Sequence, residues 1–233
     1  MIAEGVVCVY LDDILIFTKT LLEHQTITWR VLKCLWEYNL CLKPEKWEFE
    51  QTWIESLREI VSEGTVEMDP VKVSGVLEWP EPQNKREVQS FVRFVNFYRQ
   101  FIKDFSHHTR ALFNFTKKDV GWQWGELEWA SFNKLKELIN SAPVLVFPDD
   151  SLPNCVKADS SNTATGVVLS QQSLEDSGKW HPIAFFSKSL SSVEWNYEIH
   201  DKEIVRYHIS YCNIYVLHIY ISFVIFEYIL LVY

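Results

Sequence analysis

A mixed α/β (α+β) fold in two modules is predicted by three features of the sequence. Two β-branched runs meet at adjacent aspartates, apolar stripes recur at helical spacing up to about Pro148, and strand-like segments separated by turns follow from Cys155. A chain of 233 residues, 48% hydrophobic and 23% charged, can bury one sizeable core or two modest ones, which excludes disorder for most of its length. Its five cysteines (Cys8, Cys34, Cys41, Cys155, Cys212) have no CxxC or zinc-ligand spacing, and nothing at the N-terminus has the basic and apolar blocks of a signal peptide. A reducing, intracellular setting in cytoplasm or nucleus, without secretion, is the expectation.

The first element is the stretch VVCVYLDDILIFTKT, in which Asp12 and Asp13 interrupt an otherwise apolar, β-branched run. Val, Ile, Tyr and Phe favour pleated structure and Asp favours turns, so the pattern reads as a hairpin with a polar tip. A second reading is open on the same residues: paired carboxylates held by buried strands can collect a hard divalent cation such as Mg²⁺. Leu21 to Leu40 follows as a helix with Ile27, Val31, Leu35 and Tyr38 on one face, ended before Pro44. Lys46 to Ile60 reads as strand-like, because Trp47, Phe49 and Trp53 alternate. SEGTVEMDP then gives a turn, a short strand and a helix start, with Asp69 as N-cap and Pro70 in the first helical position.

A Pro-containing linker leads into a helix whose Val88, Phe91, Val95, Tyr98 and Ile102 form a core-facing stripe. Another helix runs from about Glu126 to Asn140, and a boundary is expected between Pro148 and Asn154. CVKADSSNTATGVVLSQQ reads as two strands, HPIAFFSKSL as a third, and Val193 to Ile204 as the start of a helix. In the C-terminal stretch 20 of the last 25 residues are apolar, but His218 and Glu227 interrupt them, which argues against a membrane span.

The net charge of −9 is uneven. Between Lys85 and Lys118 eight basic residues (Lys85, Arg86, Arg93, Arg99, Lys103, Arg110, Lys117, Lys118) face only Glu87 and Asp104, so this segment is +6 and the remainder −15. Such a stripe can hold a phosphate backbone, and it also suits a solvated helix face.

Taken in order, YLDDILIF, VLKCLWEYNLCLKPEKWEFE, IVSEGTVEMDPVKVSGVLEWPEP, KREVQSFVRFVNFYRQFIKDFS, SAPVLVFPD, ADSSNTATGVVLSQ and NYEIHDKE resemble the pol polyprotein of Ty3/gypsy-class long-terminal-repeat retrotransposons, over about Val6 to Glu203. The resemblance implies a reverse transcriptase palm remnant over residues 1–80, a thumb and connection over 81–148, a partial RNase H-like domain over 149–206 and a non-family apolar tail over 207–233. It implies that Asp12 and Asp13 descend from Mg²⁺ ligands of an RNA-directed DNA polymerase, and that Lys43 or Lys46 faces the incoming nucleotide. Residues Glu55 to Ser62 take the place of the primer-gripping hairpin, and the basic stripe tracks a template–primer duplex or RNA/DNA hybrid. Asp159 and Glu203 match the first two metal-binding catalytic carboxylates of a hybrid-cutting ribonuclease.

Departures from the family pattern accompany it. Ser56-Leu57-Arg58 stands where an aromatic, Leu and Gly are usual, Arg93 where Gly is usual, and Trp47 where Cys is common. Because the third polymerase aspartate and the later ribonuclease carboxylates fall outside the matching residues, both sites are expected to be incomplete, and the chain inactive alone. The alternatives are a subunit completed by other pol segments, and a nucleic-acid-binding or membrane-tethered remnant without catalysis. Sequence past about Val205 is expected to be read through a frame change or unspliced intron.

Overall fold

A computed structural model describes residues 6–10, 13–16, 18, 20–56, 58–149, 151–161, 163–173, 178–191 and 193–196. They fall into two compact units, one running to Val66 and the other starting at Glu67. The apolar tail, and with it the expectation of a change of reading frame, lies outside the described residues. Among those described, no helix is long and apolar enough to cross a membrane.

In the first unit the expected hairpin is present. Strands β1 (Val7–Tyr10) and β2 (Asp13–Ile16) pair antiparallel, with Tyr10 opposite Asp13 at the closed end and Val7 opposite Ile16 at the open end. Helix α1 (Leu21–Glu37) starts at Thr20, whose hydroxyl accepts from the Glu23 amide at 3.3 Å. It lays Ile27 and Val31 against Val7 and Leu15, with Leu35, Leu42, Trp47 and Ile54 packed round the edge.

Two expectations fail here. Tyr38 is not on the core face but 73% exposed, because the helix ends at that residue and Asn39 turns the chain into the left-handed region at φ 55°. Lys46 to Gln51 is not strand: Pro44–Lys46 form a 3-10 turn, and extended structure begins at β3 (Trp53–Ser56), which pairs antiparallel with β4 (Glu59–Ser62). Arg58, at the turn of that hairpin, holds φ 71°, the conformation glycine would take without penalty. A side chain there costs about 1–2 kcal/mol of backbone strain. Gly64, at φ 72°, makes the next turn, before β5 (Thr65–Met68).

The second unit is helical first and sheet-like afterwards. Helix α2 (Pro70–Leu77) has Pro70 in its first turn, and the Asp69 carboxylate accepts from the Val71 amide at 2.8 Å. Helix α3 (Lys85–Phe97) buries Val88, Phe91 and Val95, with Tyr98 and Ile102 beyond it, as the stripe predicts. Helix α4 (Phe105–Phe115) packs on α5 (Glu126–Asn140), and Phe91 meets Phe132 across the helices at 4.5 Å between ring centroids. The Lys136 ammonium donates to the carbonyl oxygens of Leu77 at 3.0 Å and Trp79 at 2.5 Å, closing the end of α2.

After the short strand β6 (Leu145–Val146), strands β7 (Asn154–Ser160), β8 (Ala164–Gln172) and β9 (Trp180–Ser189) form an antiparallel sheet in the order β7-β8-β9. The β8–β9 register slips between Leu169 and Ser170, next to Pro182, which has no N–H to give to the ladder. The segment round Pro148 joins pieces of one packed unit. Asp149 N–H donates to Gln171 Oε1 at 2.8 Å, and Gln171 Nε2 donates back to Asp149 O at 2.7 Å.

Helix α4 lies on β8 and β9. Arg99 donates to the Ser187 carbonyl at 2.9 Å with its guanidinium 5.4 Å from the Phe186 ring, and the Ser106 amide donates to Ser187 Oγ at 2.8 Å. Beside this clamp, Asp104 holds φ 54° immediately before α4. A Cβ added at Gly166 would lie 1.9 Å from Asp104 Oδ1, so the bare glycine permits the approach. We expect Gly166→Ala to destabilise the chain by about 1–3 kcal/mol, as overpacking does. Asp104→Gly relieves both the left-handed strain and the clash. The double variant should therefore lose less than the two single effects summed, measured by urea unfolding; strict additivity would contradict the contact.

Candidate catalytic carboxylates and nucleic-acid-binding residues

Of the four expected metal ligands, Asp12 and Glu203 lie outside the described residues. Asp13 opens β2, placed there by the backbone pairing with Tyr10. Asp159 is near the end of β7 and exposed, opposite Gly166 on β8, which is in turn opposite Ser187 on β9. Directly opposed residues share a face of an antiparallel sheet. Asp159, the bare Gly166 and Ser187 thus form one row beneath the loop that carries Asp104.

A cavity of about 220 Å³ opens over this row, lined by Asp104, His107, His108, Asp159, Thr165 and Ser187 among others. Two carboxylates and two imidazoles share it. Yet no group of three or more His, Cys, Asp or Glu among the described residues is arranged to hold a metal ion. The described residues by themselves therefore do not make up a Mg²⁺ site.

His107 and His108 stand 5.4 Å apart between ring centroids. Burial holds the His108 pKa below its ordinary value of 6.5, His107 and Lys134 lower it further, and Asp104 and Glu137 act the other way. The histidines, Asp104 and Ser187 carry no sequence motif. They become neighbours of Asp159 only because α4 packs on the sheet.

The basic residues divide into two groups. Arg86 and Arg93 are exposed on α3, seven positions and hence about two turns apart on one face, and Lys103, Lys117 and Lys118 are exposed after it. Lys85 and Arg99 are half-buried, and each donates to backbone carbonyls elsewhere in the fold. The Lys85 ammonium donates to the carbonyl oxygens of Lys117, at 2.6 Å, and of Val120, tying the start of α3 to the α4–α5 loop. Arg99 belongs to the Ser187 clamp. Arg110 is half-buried on α4. Lys43 precedes one 3-10 turn and Lys46 ends it, both exposed.

The Arg93 departure lies on the solvent face of α3, where arginine is a better helix former than glycine. That of Trp47 is less benign, for its indole N–H is buried with no hydrogen-bond partner.

The family profile described as "RNase H-like domain found in reverse transcriptase" matches residues 124–217. The Tf2-3 transposon polyprotein of Schizosaccharomyces pombe is 35% identical over 200 residues, which are 86% of this chain and 15% of that polyprotein. The Tf2-7 polyprotein of the same yeast is 33% identical over 204 residues, 88% of this chain and again 15% of its own length. The chain thus spans about 15% of the curated relatives it matches. Among solved structures, the foamy viral protease-reverse transcriptase dRH in complex with double-stranded DNA superposes with a TM-score of 0.78 at 21% identity, covering 93% of this chain and 38% of that one. The foamy viral protease-reverse transcriptase bound to an RNA/DNA hybrid gives 0.77 at 21% identity, covering 91% and 29%. These two likenesses establish the fold.

The depressed His108 pKa has a measurable consequence. A group whose folded pKa lies below its unfolded value contributes stability that is complete above 6.5 and is lost as pH falls through the folded pKa. Stability should decline from neutral pH into the mildly acidic range, and His108→Gln should flatten that part of the curve. An identical slope in the variant, from urea midpoints at successive pH values, would exclude His108 as its source.

Proposed function

Since the chain belongs to the Ty3/gypsy-type retrotransposon polyproteins, in their reverse transcriptase and RNase H-like region, we propose that it is a duplex-holding segment of that enzyme, inactive alone. It binds template–primer or RNA/DNA hybrid without sequence preference. The observation that carries this reading is the exposed basic set Arg86, Arg93, Lys103, Lys117 and Lys118. Arg86 and Arg93 project from α3 about 10 Å apart along its axis. That spacing suits contacts to separate phosphates of one strand, and phosphate contacts position a duplex without reading its sequence.

Catalysis is a separate matter. Mg²⁺ is the family's cation for both activities, and Asp13 and Asp159 are the described residues that would contribute to holding it. Neither is joined by a complete ligand set among those residues, so no metal-dependent step is derived from the described residues. Asp12 and Glu203 of this chain are the further expected ligands, and other pol segments would have to supply those beyond them. The same reading places the protein inside the cell, where Cys34, Cys41 and Cys155 stay free thiols.

Affinity for a labelled hybrid should fall steeply with salt. Replacing Arg86 and Arg93 together by Gln should reduce the slope of log affinity against log salt by about 2, nearly one per lost phosphate contact. Arg99→Ala should leave the slope unchanged and lower the unfolding midpoint, because Arg99 clamps the sheet. An unchanged slope in the double variant would overturn the assignment of Arg86 and Arg93.

Primer extension with Mg²⁺ or Mn²⁺ should remain at background for the purified chain, since two-metal chemistry needs the full ligand geometry. Extension that disappears in Asp12→Asn would contradict this and favour a polymerase completed by another chain.

A further inference from the structure

We propose that the α4–α5 loop is a shelf for unpaired nucleotides of single-stranded nucleic acid, with Trp122 as the stacking surface and Lys117 and Lys118 as its phosphate contacts. The proposal rests on the nucleic-acid reading above and adds to it a second ligand form at a site distinct from the arginine face of α3.

Trp122 remains 44% exposed although it lies within an aromatic cluster. Its ring stacks on Trp124 at 6.0 Å with 12° between the planes, and Phe115 meets it edge-on at 5.1 Å. Trp124 in turn packs edge-on against Phe115, at 5.9 Å, and Phe132, at 6.1 Å, and so is anchored in the helical core. An indole fixed in orientation by rings behind it and still substantially exposed can stack a base without first losing rotamer freedom.

The backbone beside it is fixed as well, since Lys85 bonds to the carbonyls of Lys117 and Val120 and the Val120 amide donates to Lys117 O at 3.4 Å. This leaves the Lys117 and Lys118 side chains exposed a few residues before Trp122. Asp119 is the one acidic residue between Thr116 and Gly125, so the loop keeps a net positive charge. A flat aromatic flanked by cations is what single-strand binding requires, because every base has a π-face and every nucleotide a phosphate. A duplex offers no free base face, and so gains little from Trp122.

The test uses the full chain and two fluorescently labelled probes, an oligo(dT) and a duplex of equal length, read by anisotropy. Trp122→Ala should weaken oligo(dT) binding by about tenfold and change duplex binding less than twofold, whereas Trp122→Phe should keep most of the affinity. Replacing Lys117 and Lys118 by Gln should lower the salt slope for oligo(dT) by about 1.4. Thermal unfolding of each variant separates binding loss from misfolding. Wild-type affinity for oligo(dT) in Trp122→Ala, or equal loss for both probes at unchanged stability, overturns the proposal. Duplex binding without any oligo(dT) binding overturns it while leaving the duplex reading intact, and binding of neither probe overturns both.

Discussion

The missing side chain at Gly166 sets how closely the loop before α4 can approach the three-stranded sheet. Because nothing projects from β8 at that point, near its start, Asp104 can lean over it and α4 can start at Phe105. Ser106 is then within hydrogen-bond reach of Ser187, and Arg99 reaches the carbonyl of the same residue. Two of these contacts converge on Ser187 of β9 and the third on the neighbouring β8. They make the helices and the sheet parts of one unit, and they put His107, His108 and Asp104 round Asp159.

Much of this could be read from the sequence where a local rule acts alone. The β1–β2 hairpin, the Asp69-Pro70 helix start, the apolar face of α3 and the limits of α5 all follow from periodicity or capping chemistry within a few residues. The failures share a cause. The backbone contacts of Lys85 and Arg99 went unread because their partners are the carbonyls of Lys117, Val120 and Ser187, far away in sequence and without any compositional signature. Gln171 was invisible for the same reason, as its amide fixes a loop that only the fold brings near. The aromatic alternation from Trp47 to Trp53 misled because Pro44 sets a 3-10 turn, and a propensity pattern yields to it.

The departures from the family pattern differ in their physical weight. Arg93 faces water and costs the helix nothing. Arg58 must hold a backbone conformation suited to glycine, and Trp47 buries an N–H without a partner. Each of the last two draws on a margin of stability that is small in any domain. Both lie in the unit that also carries the Asp13 hairpin.

Strand β7 gives Asp159 a second physical role. Among the described residues β7 is an outer strand of its sheet, so its outward backbone groups can template pairing with another chain. Lys157 and Asp159 place opposite charges two residues apart along that edge, both exposed. A neighbouring copy added in parallel register would set like against like at each of them, while an antiparallel one could pair them. The charge of this carboxylate thus discourages one mode of edge-to-edge stacking. Neutralising it would therefore remove that bias between parallel and antiparallel pairing at the edge.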